Sequence, residues 1–426
     1  MNRAAQKNTT TGEIRPRPAY RDRNVLRWLV AYSASLLGDG IYFVALAWAA
    51  NSVASPAEVG IVMAMGSIPR AVLMLGGGVV ADRFGPRAVV LGSDALRCLV
   101  ILAVAAALVF SSPGLWVLIA VALVFGVVDA LFLPAVGALP PRITEPSEVV
   151  RLQSMVMLAG RLSRTTAPPI AGMAMGLGGS AAAFALAGAL FCLSLALLWA
   201  VRIGSLPADD TIKDAAPATP TTPWRDLVEG LTYIRRHKVI GPLVLSGAMS
   251  QFGIIAPLTV GLVLLCDQRG WGAGGMGWIS GVFGVGTTSM ALLLTVRGRL
   301  PRAGMVQNVS LVVASAGIAA IGLVPSLPGA VAVALLSGLA SGVCGGLAVS
   351  LIQTATDRAY LGRVSSVMAL TGVGIAPLAY PLFGVLTEFT GTAPLYVAGG
   401  ALSALGATIG LASRAVRGAE LPEVRA

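Results

Sequence analysis

Gly78-Val79-Val80-Ala81-Asp82-Arg83-Phe84-Gly85-Pro86-Arg87 is a charged turn that links two long apolar stretches, residues 58–80 and 88–110. Each flank exceeds the ~20 residues a helix needs to cross a ~30 Å hydrocarbon core. The turn therefore joins two membrane-crossing helices. Ten further runs of the same kind lie outward from it, at 26–49, 115–137, 150–176, 181–203, 240–265, 275–296, 304–324, 328–352, 364–387 and 393–415. Composition agrees: 56% of the 426 residues are apolar and only 12% are charged, against ~25% charged in a soluble domain. The 52 glycines suit helices that approach closely in lipid, where no hydrophobic drive pushes them together.

The basic residues set an orientation. With a cytoplasmic N-terminus, 25 of the 30 Lys and Arg fall on the inner side, and only Arg269 falls in an outer loop; Arg70, Arg97, Arg161 and Arg164 lie within spans. Such asymmetry predicts both termini inside a cell (inner, cytoplasmic) membrane. It also gives the net charge of +11 a topological meaning, since nucleic-acid binding needs basic charge gathered on a soluble face. Residues 1–24 are polar and Arg-rich and read as a cytoplasmic tail rather than a cleavable signal. The expected organisation is this tail, a six-helix bundle over 25–203, a cytoplasmic linker over 204–239 with an amphipathic helix from Trp224 to His237, a second bundle over 240–415, and a tail over 416–426. The four cysteines are scattered singly in apolar runs and make no metal or disulfide pattern. The single histidine, His237, belongs to the cluster Arg235-Arg236-His237-Lys238 at the surface, so no histidine proton relay is expected.

The two bundles repeat one another. Arg151, Ser154, Leu158, Gly160, Pro169 and Gly172 recur 212 residues later as Arg363, Ser366, Leu370, Gly372, Pro381 and Gly384, and Pro86-Arg87-Ala88 recurs as Pro301-Arg302-Ala303. Parallel half-repeats are a transporter architecture in which two bundles rock about a site between them. A receptor or an embedded enzyme needs no such duplication.

The opening decapeptide resembles the G-x-x-x-D-R-x-G-x-R loop of the major facilitator superfamily, and the resemblance extends over nearly the whole chain. It implies an all-α membrane fold of twelve transmembrane helices in two pseudo-symmetric six-helix bundles. It also implies a cytoplasmic gating motif of Gly78, Asp82, Arg83, Gly85 and Arg87, with the Asp82 carboxylate latching onto the start of the eleventh helix near Val364-Ser365-Ser366. A carboxylate there favours the positive end of a helix dipole, Gly78 permits close helix contact and Gly85 permits a tight turn. Three shorter matches, Ser35-Leu36-Leu37-Gly38-Asp39, Asp129-Ala130-Leu131-Phe132-Leu133-Pro134 and Gly362-Arg363-Val364, resemble the enterobactin-exporter and macrolide-efflux branch. Residues Gly160 to Gly172 are similar to the antiporter motif G-x-x-x-G-P-x-x-G-G, with Thr or Ala at several glycine positions; Pro168 and Pro169 are expected to kink this helix.

Charge divides the halves. Asp39, Arg70, Asp94, Arg97, Asp129, Arg161 and Arg164 lie within the first six spans, and the interiors of the last six carry none; Val373 and Ala376 stand where the repeat places Arg161 and Arg164. Each unpaired midplane charge costs ~2.5–3.5 kcal/mol on the insertion scale, so these residues must pair or face water. Asp39 and Arg70 both lie twelve residues from a cytoplasmic end, about 18 Å deep, and are expected to pair or to share a cavity. Asp39 is either the proton carrier or a permanent salt-bridge partner, with Arg70 as the other member of the proton-coupling pair. Asp94 and Arg97 are one turn apart, and Asp129, at similar depth, is expected to complete an intramembrane charge network with them. The substrate cavity is expected to be lined by Tyr42, Arg161, Arg164, Gln251, Phe252 and Tyr380, charged on one side and apolar on the other, as suits an amphipathic ligand.

No GxxxxGK[ST] phosphate loop occurs, so ATP is not an expected partner. No cofactor, metal or nucleic acid is expected either. The predicted activity is export of a small amphipathic drug, antibiotic or secondary metabolite by proton antiport through alternating access, in a monomer. Three other readings stand beside it. They are export of a siderophore or anionic metabolite, proton-coupled nutrient uptake, and, from a different class, a non-transporting sensor or an embedded enzyme. No nucleophile–base pair supports the enzyme.

Overall fold

The computed structural model describes residues 18–73, 80, 83–110, 114–202, 223–297 and 300–421. Gly78 and Asp82 of the gating motif lie outside these residues. So do 1–17 of the N-terminal tail, 203–222 of the linker and 422–426 of the C-terminal tail. Five long helices make the first half: α1 (Arg23–Asn51), α2 (Pro56–Leu73), α3 (Pro86–Phe110), α4 (Leu115–Gly137) and α5 (Val149–Trp199). A surface helix, α6 (Pro223–Arg236), precedes the second half. That half comprises α7 (Ile240–Gln268), α8 (Gly272–Arg297), α9 (Ala303–Leu323), α10 (Leu327–Ala355), α11 (Leu361–Thr390) and α12 (Thr392–Ala412). No strand occurs among the described residues.

Eleven of these helices are long and apolar enough to cross a membrane. The twelfth span is inside α5. At 51 residues this element would be about 76 Å long if straight, more than twice the ~30 Å core. It is broken where Gly179 takes φ 66°, ψ −167°, a left-handed conformation open to glycine and strained for other residues. The two spans on either side are therefore the fifth and sixth. Pro168 and Pro169, where the sequence suggests a kink, keep helical dihedrals; the non-helical residues are Gly178 and Gly179. Gly85 turns at φ 81°, which forms the tight connection into α3.

The apolar core is continuous at one end of the molecule and divided at the other. One cluster joins Tyr42, Met63, Phe125 and Phe184 of the first half to Val260, Ile279, Tyr380 and Tyr396 of the second. At the opposite end, where the basic loops lie, two separate clusters occur. One gathers Trp28, Phe132, Leu152 and Leu198 within the first half; the other gathers Ile234, Leu243, Leu347 and Val364 within the second.

Where the core is continuous, the halves meet through two matching helix pairs. On α2, a Cβ at Gly60 would lie 2.5 Å from the Tyr380 carbonyl oxygen and 3.0 Å from Pro381 Cα of α11. On α8, a Cβ at Gly277 would lie 2.8 Å from the Pro168 carbonyl oxygen and 3.2 Å from Pro169 Cα of α5. Pro168-Pro169 and Tyr380-Pro381 are related by the 212-residue repeat, so the same contact is built twice. Gly384 against Pro56 and Gly172 against Ala273 repeat the pattern one turn away. A hydrogen bond from Ala57 N–H to Glu388 Oε1 (3.1 Å) and another between the Thr165 and Thr288 hydroxyls (3.0 Å) accompany these packings.

The repeat is legible at the basic end too. Arg151 pairs with Glu148 at 2.8 Å and lies over the ring of Tyr20, while Glu148 accepts from Ala19 N–H at 2.9 Å. The start of α5 thus holds the segment that enters α1. Its counterpart Arg363 pairs with Glu229 of α6 at 3.3 Å and lies over Tyr360. Tyr233 of α6 stacks on Tyr360 at 4.3 Å and donates to Asp357 at 3.0 Å. The start of α11 thus holds the helix that enters α7.

Candidate functional site

Arg97 organises the buried charge. It lies on α3 with 1% of its side chain exposed, among three carboxylates. Asp94, one turn before it, approaches at 3.4 Å; Asp39 of α1 approaches at 3.6 Å; Asp129 of α4 makes the closest pair. The guanidinium also donates to Ser35 Oγ at 3.3 Å and covers the Phe132 ring at 4.2 Å. A planar five-donor fork can serve several acceptors at once, which a lysine ammonium cannot do in this geometry.

The three aspartates are held unequally. Asp94 is fully buried and accepts from Ser35 at 3.0 Å and from Ser194 at 2.5 Å. Asp129 bridges Arg97 and Arg70, the latter at 3.9 Å. Among the described residues, Asp39 has one long ion-pair contact, through Oδ2, and its buried Oδ1 has no hydrogen-bond partner. Gly38 and Gly40 let this part of α1 approach its neighbours: a Cβ on Gly38 would sit 3.3 Å from the Phe191 ring, and one on Gly40 would sit 2.5 Å from Ala167 Cβ. The expected pairing of Asp39 with Arg70 is thus exchanged. Asp39 faces Arg97, and Arg70 faces Asp129. Three carboxylates against two guanidiniums leave one negative charge in excess within a low-dielectric region.

Arg70 and Asp129 open onto a chamber of about 160 Å³ between the halves. Tyr42, Ser67, Phe125 and Tyr380 also line it. Tyr42 is stacked on Phe125 at 3.8 Å, so its position is set by packing. Of the residues expected around the substrate, Tyr42 and Tyr380 face this chamber, together with Val373 and Ala376. Arg161 and Arg164 instead line a second space, between α5, α8 and α10. Phe252 lines a groove among α7, α11 and α12 with Gly253 and Phe383, and Gln251 is not among the residues that line the chamber. In the gating loop, the Arg83 guanidinium lies 5.8 Å from the Phe84 ring, and Arg87 donates to the Trp199 carbonyl at 3.1 Å.

Ser35, Ser194 and Phe132 join the network without a motif in the sequence that marks them. Ser35 lies one turn before Asp39, and Ser194 sits on the sixth span facing α3; small hydroxyls within apolar spans were the available signal. No group of acids, cysteines or histidines suited to a metal ion occurs among the described residues.

Comparison with known proteins agrees with this architecture. Residues 28–379 match the sequence profile of the Major Facilitator Superfamily. The enterobactin exporter EntS of Escherichia coli O1:K1 / APEC is 25% identical over 375 residues, spanning 88% of this chain and 86% of its own. YfiS of Bacillus subtilis (strain 168), an uncharacterized MFS-type transporter, is 26% identical over 66% of each chain. The crystal structure of the nucleoside transporter NupG superposes with a TM-score of 0.69 at 13% identity, over 92% of this chain and 99% of that one. Twelve apolar spans in two repeated halves, with a profile match over most of the length, show that the chain belongs to the major facilitator superfamily, a family of multi-pass membrane transporters.

Proposed function

We propose that this chain exports a small amphipathic molecule by proton antiport through alternating access, with both termini in the cytoplasm of a bacterial inner membrane. The observation that carries the reading is the unequal network around Arg97. One excess negative charge, in a region that disfavours it, is relieved by a proton. Asp39 is the carboxylate with the weakest hold and a free oxygen, so it takes that proton. Protonated Asp39 releases its share of Arg97, which then binds Asp129 more closely and frees Arg70 toward the chamber.

The structure supports the alternating part through its two ends. The halves share one core where Gly60 and Gly277 lie and have separate cores at the basic end. With the basic end cytoplasmic, this is the inward-open arrangement, ready to load from the cell interior. The EntS relative is named as an exporter, which supports the outward direction and a siderophore-like cargo among those considered.

The test uses the purified chain in proteoliposomes with an imposed pH gradient and a panel of amphipathic fluorescent compounds. Wild type moves at least one compound against its gradient, and flux falls to background when an uncoupler is added. Asp39→Asn retains downhill exchange and loses the response to the pH gradient. A gradient response in Asp39→Asn equal to wild type sinks the proposal.

A further inference from the structure

We propose that the cleft beside Arg161 and Arg164 is a seat for an oxyanion carried on an apolar body, distinct from the aspartate network that handles the proton. The inference deepens the export reading by naming the class of cargo, and it rests on that reading for its transport meaning only. Arg161 and Arg164 are three residues apart and share a face of α5. They lie ten and thirteen residues beyond Arg151, about 15 and 20 Å from the basic end. Neither makes an ion pair among the described residues, whereas Arg97 is surrounded by acids.

Both arginines face open space. Cavities of about 550 Å³ and 480 Å³ share Arg161 and Thr287, so they form one cleft. Its free donors are the two guanidiniums and Ser341 Oγ, which is buried with no hydrogen-bond partner among the described residues; the hydroxyls of Thr287 and Ser350 donate to the carbonyls of Phe283 and Gly346, and those of Thr165 and Thr288 bond each other. Its remaining walls include Phe283, Leu294 and Leu347. Donors and apolar surface without a carboxylate select a carboxylate, phosphate or phenolate on a greasy body and reject a cation. The bond between Thr165 and Thr288 closes the cleft toward the joined end.

The positions related to Arg161 and Arg164 are Val373 and Ala376, which line the central chamber. The cationic seat is therefore built once, on one side of an otherwise duplicated frame. A ligand anchored by its charge at α5 can lay its apolar part along Phe283, Leu294 and Leu347 without competing with the proton for Asp39.

The ligand chemistry has two sources, a soluble amphipath or an anionic lipid headgroup, and the experiment separates them. Retention of tritiated dodecanoate and of tritiated dodecanol is measured on the full chain in phosphatidylcholine nanodiscs, without a pH gradient and with empty discs subtracted. Wild type prefers dodecanoate by roughly tenfold, the worth of one charge-assisted contact. R161Q/R164Q brings the ratio close to one, and R161K/R164K restores most of it. Exchange of phosphatidylcholine for phosphatidylglycerol displaces dodecanoate if the natural occupant is a lipid, and leaves it bound if the occupant is a soluble amphipath. No preference in wild type, or an undiminished preference in R161Q/R164Q, overturns the seat. Should R161Q/R164Q not fold, S341A decides: a severalfold loss of retention supports the seat, and unchanged retention overturns it. Because no gradient is applied, these results are independent of whether Asp39 carries a proton.

Discussion

Gly60 of α2 packs against Pro381 of α11 in the way that Gly277 of α8 packs against Pro169 of α5. A Cβ would stand 3.0 Å and 3.2 Å from the respective proline Cα atoms. The closure at the joined end is thus two copies of one contact, placed there by the internal repeat. Neither glycine turns the chain; each is needed because two backbones meet there.

Replacing Gly60 by valine should therefore hold the joined end apart. Overpacking costs about 1–3 kcal/mol, which shifts a two-state equilibrium by roughly 5- to 150-fold. The expected outcome is a longer distance between spin labels at Val53→Cys and Thr390→Cys, with export reduced by a similar factor. Gly277→Val should do the same through the other pair, whereas Gly92→Ala, beside which no atom lies within 4 Å, should leave both readouts unchanged.

Arg97→Gln removes the centre of the network and leaves Asp39, Asp94 and Asp129 without their shared cation. Removing one partner of a buried ion pair costs about 3–5 kcal/mol, a large fraction of the ~5–15 kcal/mol net stability of a folded domain. The protein is expected to melt at least several degrees lower by fluorescence-detected size exclusion. Arg97→Lys keeps the charge but not the fork, so it should recover part of the melting temperature and little of the transport. Asp94→Asn, whose carboxylate is already held by Ser35 and Ser194, should affect stability more than coupling.

At this same cluster the sequence carries depth but not direction. Counting residues from a basic end gives the depth of a side chain, and on depth alone Asp39 and Arg70 belong together. Depth says nothing of rotation about the helix axis. The azimuth of α1, set by Gly38 and Gly40 packing onto Phe191 and Ala167 of α5, turns Asp39 to Arg97 instead. The same gap separates Tyr380, which faces the chamber, from Phe252, which does not. The twelve spans, by contrast, follow from length and apolarity, because lipid requires each segment to satisfy its own backbone. The 212-residue repeat was readable for a related reason: Pro169, Gly172, Pro381 and Gly384 sit where backbones touch, and few residues fit there.

The surface helix α6 should travel with the second half. Its Glu229 pairs with Arg363 at 3.3 Å, and its Tyr233 donates to Asp357 at 3.0 Å. Exposed pairs and single hydrogen bonds are each worth only about 0.5–1.5 kcal/mol, so Glu229→Gln or Tyr233→Phe alone should slow export no more than severalfold. The double variant should release α6, and faster hydrogen exchange over Pro223–Arg236 would show it. Unaltered exchange in the double variant would mean that the apolar contacts of Leu227 and Ile234 and the stacking of residue 233 on Tyr360 suffice to hold the helix.

Thr165 and Thr288 offer a direct test of the rocking motion. Their hydroxyl oxygens are 3.0 Å apart across the halves, close enough for cysteines to be bridged after a small adjustment. In a chain whose own cysteines are replaced, T165C/T288C treated with a mild oxidant should fix the joined end shut and abolish export, and a reductant should restore it. Cys98 and Cys192 give the matched control. Their sulfurs are 2.7 Å apart, but α3 and the sixth span belong to the same half, so joining them crosses no moving interface. If the halves rock as rigid bodies, oxidation of that natural pair leaves transport intact while the engineered pair stops it. Equal inhibition by both cross-links would place the motion within a half and refute rocking between them.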